Sequence, residues 1–135
     1  MTRRALGAAL AAACLLGTAA PADARCAPRS LPQEARTAVA VVEAVLERAS
    51  EASGAFRTVT VYKGGAEAPA RFTLDTRQGR ARWPWASAEN EGRRYLLFLQ
   101  RAGDGWTVYR CGASGEASDE ARAALRREGL RPQRR

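Results

Sequence analysis

No histidine occurs among the 135 residues, and the thiols are three: Cys14, Cys26 and Cys111. Without imidazole the usual nucleophile triads, His-Cys zinc sites and imidazole general bases are excluded. Paired carboxylates are the remaining acid-base device. The chain offers Glu89 with Glu91 and Asp119 with Glu120. The first pair falls in a stretch with no hydrophobic period and the second at a helix start, where solvated surface charge is the plainer account. Lys63-Gly64-Gly65 lacks the spacing of a phosphate loop and reads as a hairpin turn. The expectation is a chain that is not an enzyme and carries neither metal nor cofactor.

Recognition is what remains. Trp83, Trp85 and Tyr95 could anchor a protein partner if exposed, because aromatic side chains supply much of interface energy; turned inward they fill a core. Arg80, Arg82, Arg93 and Arg94, with the C-terminal arginines, could instead hold a polyanion such as an envelope lipid or an acidic glycan. The formal charge is +8, with 22 basic against 14 acidic residues. All but one of the basic residues are arginine, and alanine is abundant. GC-rich coding produces that bias unaided, so the charge by itself does not name a partner.

The N-terminus sets the compartment. Arg3 and Arg4, the apolar run 5–16 and the small residues closing at Ala22-Asp23-Ala24 have the three parts of a secretory signal. The run is too short to span a bilayer, which needs about 20 apolar residues. Cleavage is expected after Ala24, with Ala22 satisfying the same rule. A lipid anchor on Cys14 is the alternative, although an alanine stands where such signals usually carry a leucine-like residue. Export to the periplasm or beyond argues against nucleic acid as ligand. Removal of residues 1–24 leaves 111 residues, one domain over 25–115 followed by a helix and basic tail over 116–135. Cys26 and Cys111 remain, and in an oxidising compartment their pairing is the default, a reactive or metal-binding thiol being the other reading. Closing a loop between residues 85 apart would stabilise the fold by roughly 4 to 5 kcal/mol on the chain-entropy view.

The elements that must position these groups follow from local signals. Ser30 with Pro32 and Gln33 or Glu34 predicts a capped helix beginning near Leu31. "TAVAVVEAVLERAS" is ambiguous: Val39, Val42, Val45 and Leu46 recur at helical spacing, yet the run is β-branched. "AFRTVTVYKGG" and "RFTLDT" read as strands, the latter with Phe72 and Leu74 on one face. "RQGRARWPWASAENEG" reads as a long loop. Asp104-Gly105 predicts a hairpin that pairs 94–100 with 106–111. A last helix is punctuated by Ser118, by Asp119 and Glu120 in its first turn, by Arg126 and Arg127 in its last, and by Gly129 beyond. "RPQRR" is expected to fray.

The order of several of these pieces is familiar. The "CAP" start, the Pro-Gln-Glu helix, a valine-rich strand, "VYKGG", "GRRYLLFLQ" and "GWTVYRCGAS" resemble bacterial secreted members of the netrin-like family, the module shared with tissue inhibitors of metalloproteinases. The resemblance runs from about Cys26 to Ser114. It implies an OB-like, five-stranded β-barrel with a short N-terminal helix and a C-terminal helix, and it places Thr37 to Arg48 mostly in a strand. Family members usually begin Cys-x-Cys. Here Ala24 stands at the first position and the region 82–85 has no cysteine, so one bridge is lost whole and the other is kept, implying a Cys26–Cys111 disulfide. The family's inhibitors chelate a protease zinc through the leading cysteine's amine and carbonyl, a group this chain lacks. The implied function is a monomeric, exported protein-recognition module with Trp83, Trp85, Arg93 and Arg94 as candidate binding residues. Polyanion binding is the alternative and protease inhibition a more distant one.

Overall fold

A computed structural model describes residues 26–75 and 87–134, together with the backbone of 77–78 and 81–82. The stretch 1–24 expected to be a secretory signal, with Cys14, and Arg80, Trp83 and Trp85 lie outside the described residues, and of Arg82 only the backbone is described.

The chain is mainly β, with helix α1 (Leu31–Thr37), strands β1 (Ala40–Ala49), β2 (Ser53–Lys63) and β3 (Arg71–Asp75), the two-residue strands β4 (Arg77–Gln78) and β5 (Ala81–Arg82), then β6 (Arg94–Ala102), β7 (Gly105–Val108), β8 (Gly115–Glu116) and helix α2 (Asp119–Arg127). Six strands form one antiparallel sheet in the order β3-β2-β1-β6-β7, with β8 added to the free edge of β6. The expected count was five in a closed barrel. Among the described residues no ladder joins β3 to β7, so the sheet is open, although those two edges approach within 8 Å between Cα atoms. Inside the stretch expected to be a loop, β4 and β5 make a small separate ladder.

β1 settles the ambiguous valine run as strand. It is the middle strand, pairing β2 on one side and β6 on the other, and its residues 40–44 are all buried. A strand covered on both faces has no reason to alternate, which is why it imitated helical spacing. Its two faces feed two cores. Val42, Leu46, Phe56, Leu74, Tyr95, Leu97, Leu99 and Val108 fill the inside of the curled sheet. Val41, Tyr62, Leu96 and Phe98 lie on the other face under Ala35 of α1 and Leu125 of α2. Phe56 and Val61 share the inner core despite opposite strand parity, because one register shift against β1, between Thr58 and Thr60, interrupts the alternation of β2 between them. Burial of such side chains contributes about 1.5 to 3 kcal/mol each.

Helix ends follow the sequence punctuation. Ser30 Oγ accepts from Gln33 N at 3.3 Å, and Ser118 Oγ from Ala121 N at 3.1 Å. Gly129 takes φ +79°; its N–H donates to Arg126 O and that of Leu130 to Leu125 O, both at 3.0 Å, which is a Schellman turn with Leu130 packed back beside Leu125. Lys63 Nζ donates to the carbonyls of Ala35 and Arg36 at 3.0 Å each, placing a cation at the end of α1.

The hairpin forms, but its ladder runs from Ala102↔Gly105 to Leu99↔Val108 and stops short of 111. The chain is drawn away there by the N-terminal segment. Cys111 is bonded to Cys26 with Cα atoms 6.0 Å apart, Arg29 N donates to Cys111 O at 3.0 Å, and Tyr109 OH donates to Ala27 O at 2.9 Å. Ser114 Oγ fills the gap on β6 by accepting from Phe98 N at 3.0 Å, and β8 resumes the pairing.

Candidate functional site

Three places combine polar groups with shape. The first is a cleft of about 690 Å³ lined by Val61, residues 65–70, Gln133 and Arg134. It exists because β3 covers the outer edge of β2 only over residues 53–57, with Thr58 N donating to Ala70 O at 2.8 Å just beyond. From there to Lys63 no strand pairs that edge among the described residues. The far wall is the 64–70 connection. Gly64 adopts φ +106° with its α-carbon so close to Ala40 that an added Cβ would lie 2.9 Å from the Ala40 Cβ, so a side chain is excluded. A 3₁₀ turn, Gly65–Glu67, follows, and Thr58 Oγ1 pins the wall by donating to Pro69 O at 2.6 Å.

The tail expected to fray is instead seated here. Gln133 N donates to Val61 O at 2.7 Å, and Gly65 N donates to Gln133 Oε1 at 2.9 Å. The Schellman turn sends the chain back toward β2, and a docked carbonyl edge offers bonds that a free tail lacks.

The second place is the latch that holds α2. Glu43, on the helix-covered face of β1, is 2% exposed. Arg122 grips both its oxygens, Nε to Oε2 at 3.0 Å and Nη2 to Oε1 at 2.8 Å. Arg94 Nη1 stands 3.5 Å from Oε1 and Tyr62 OH donates to Oε2 at 3.4 Å. The Arg122 guanidinium holds the Glu43 carboxyl below the usual carboxylate range against the opposing effect of burial. Burial, together with the same carboxylate, pushes the Tyr62 phenol up.

The third is Glu34, 1% exposed, whose Oε2 has no hydrogen-bond partner among the described residues. It does not close a capping box with Ser30; it turns inward against the disulfide loop. A Cβ added to Gly112 would lie 2.6 Å from the carboxylate, so a side chain there would require Glu34 to move. Burial raises the Glu34 pKa, opposed by the Ala113 N–H and the charge of Arg29.

Of the residues singled out from sequence, Arg93 and Arg94 sit side by side at the start of β6, exposed, yet each faces an acid: Arg93 is 3.8 Å from Glu116 and Arg94 pairs with Glu43. Tyr95 is buried, edge-on to Phe56 with centroids 6.2 Å apart, and is core. Trp83 and Trp85 lie outside the described residues. Glu91 Oε1 accepts from Ala49 N at 3.0 Å and Asp119 Oδ1 from Arg122 Nη1 at 3.0 Å, so one member of each carboxylate pair has a structural task. Among the described residues no three acidic or cysteine side chains come together to hold a metal ion, and no helix is long and apolar enough to cross a membrane. The cleft escaped the sequence because alanine, glycine and proline line it; the one signal was a glutamine interrupting the arginines after Pro132. The chain matches no protein-family model and no curated protein.

Proposed function

We propose that this chain is an exported, non-enzymatic recognition module of the netrin-like kind that takes an extended polypeptide segment into the cleft on the outer edge of β2. One observation carries the reading: beyond Thr58 no strand among the described residues pairs the edge of β2, which is met only by the chain's own Gln133 at Val61, beside a cleft whose walls are mostly apolar, the arrangement in which backbone bonds give affinity and adjoining side chains give selectivity. The order of sequence motifs supports the family, and the close approach of β3 and β7 around one shared core suits an OB-like arrangement. The Cys26–Cys111 bridge suits an oxidising compartment. Engagement of Arg93 and Arg94 by Glu116 and Glu43 weighs against the polyanion alternative.

The test is amide chemical-shift mapping of the mature chain against a panel of extended peptides in high salt. Shifts should concentrate at Val61 and residues 65–70 and vanish in Ala66→Trp, which fills the cleft from an exposed position. Absence of any peptide-induced shift there, or binding abolished by salt alone, would remove the reading.

A further inference from the structure

The tail segment that forms one wall of the cleft shows what chemistry the backbone groups of Val61 and Gly65 accept. Gln133 makes two bonds of different kinds: its backbone N–H donates to Val61 O at 2.7 Å, as an added strand would, and its side-chain Oε1 accepts from Gly65 N at 2.9 Å. The Gly65 donor is fixed in place, since its own φ is +53° and the preceding Gly64 is clamped against Ala40. It calls for a neutral or anionic oxygen at the reach of a long side chain. Glu67 decides between these. It lines the same cleft, and when the tail leaves, taking Arg134 with it, Glu67 is the one charged lining residue that remains among the described residues. A carboxylate would be repelled there, a carboxamide would not, and a cationic neighbour would be drawn in.

Resting on the reading of the cleft as a recognition site, we infer that its partner is an extended segment presenting a glutamine-type carboxamide beside a basic residue, and that the chain's own Gln133 occupies the place until such a partner displaces it. Gln133 is well suited to this. It is exposed, lies only three residues beyond the anchored Leu130, and is held by two hydrogen bonds rather than by burial. A tethered occupant faces its site at an effective concentration on the order of millimolar. Removing it should therefore sharpen binding from outside.

The probe is the capped peptide Leu-Arg-Pro-Gln-Arg, copied from residues 130–134, titrated into the mature chain and into Gln133→Ala and Gln133→Pro variants while the amides of Val61, Gly65 and Ala68 are followed. The first variant deletes the carboxamide and the second also deletes the backbone donor; both change an exposed position, and the melting curve checks that the fold is intact. The expected result is about tenfold tighter binding by Gln133→Ala than by the unaltered chain, tighter again by Gln133→Pro, with weakened binding of a peptide carrying Glu for Gln and loss of binding for one carrying Leu. Equal affinity for all three chains would overturn the competitor and leave the cleft standing. Cleft shifts with other extended peptides but not with this one would overturn the carboxamide preference. A peptide that shifts nothing in any chain, where the wider panel also fails, would overturn the cleft itself. Concentration-dependent dimerisation of the unaltered chain would show tails exchanged between two copies and would also count against it.

Discussion

The two faces of β1 are filled by opposite means. Toward the inside of the curled sheet lie Val42, Leu46, Phe56, Leu74, Leu97 and Leu99, a core with no buried acid. Toward the helices lie Val41, Leu96, Phe98 and Leu125, and on that side both buried acids of the described chain, Glu34 and Glu43, are found. The inner face is closed by shape. The outer face is closed in part by charge, and its two acids are held in contrary ways, Glu43 by a guanidinium and Glu34 by little more than a backbone N–H. What differs is how each layer can be loosened: the inner core is apolar packing throughout, whereas α2 is held by the packing of Leu125 together with a buried ion pair that a single substitution removes.

The largest effect should come from breaking the inner layer. Phe56 stacks on Phe72 at 5.4 Å and meets Tyr95 edge-on, so Phe56→Ala should cost about 4 kcal/mol in urea unfolding, with the cavity adding to the lost transfer energy. Next is the latch. Arg122→Ala leaves the buried Glu43 carboxylate with only Arg94 at 3.5 Å and the Tyr62 hydroxyl at 3.4 Å, and should destabilise by about 2 kcal/mol, part of it recovered when Glu43→Gln is added, because the penalty is an under-compensated buried charge rather than the lost pair alone. The linkage sign checks the same point: Glu43 has a folded pKa below its unfolded value, so its stabilisation is present above the ordinary carboxylate range and is lost as pH falls through the folded pKa. Arg122→Ala should flatten that acid limb.

Glu34 should behave in the opposite sense. Its folded pKa is raised, so its contribution is present below the ordinary carboxylate range and is lost as pH rises through the folded value. Glu34→Gln should therefore raise the unfolding midpoint near neutral pH and change little in acid; a uniform loss at both would mean the carboxyl is better partnered than its orphaned Oε2 indicates. Smallest is the exposed Arg93. Its contact with Glu116 is 3.8 Å long and solvated, so Arg93→Ala should shift stability by less than about 0.5 kcal/mol.

The sequence disclosed what short-range chemistry decides. The Asp104-Gly105 turn, the Ser30 and Ser118 caps, Gly129 at the end of α2 and the alternation of Phe72 and Leu74 in β3 each depend on residues within a few positions of one another. β1 was obscure because a strand buried on both sides loses the alternation by which strands are recognised. The latch was obscure for another reason: Glu43 and Arg122 are 79 positions apart, and nothing near either marks the other. Arg93 and Arg94 stood out as charges, but the acids that meet them could be found only in space. The cleft is the extreme case, because small residues line it and its occupant sits in a run that composition alone assigns to solvent.

The covalent ring has a mechanical consequence. The bond from Cys26 to Cys111 encloses α1 and strands β1 to β7, leaving β8, α2 and the seated tail outside it. Tension applied beyond the two cysteines would bypass the enclosed strands and travel through the sulfur bridge. Beyond Cys111, residues 112–134 could extend to about 80 Å at ~3.5 Å each. A pull of that kind would draw Gln133 off β2 first, peel α2 from Glu43 next and then strip β8 from β6, while the strands inside the ring carried no load. The cleft would thus be emptied by force before any of the inner core yielded, which makes the arm after the bridge a natural strain gauge.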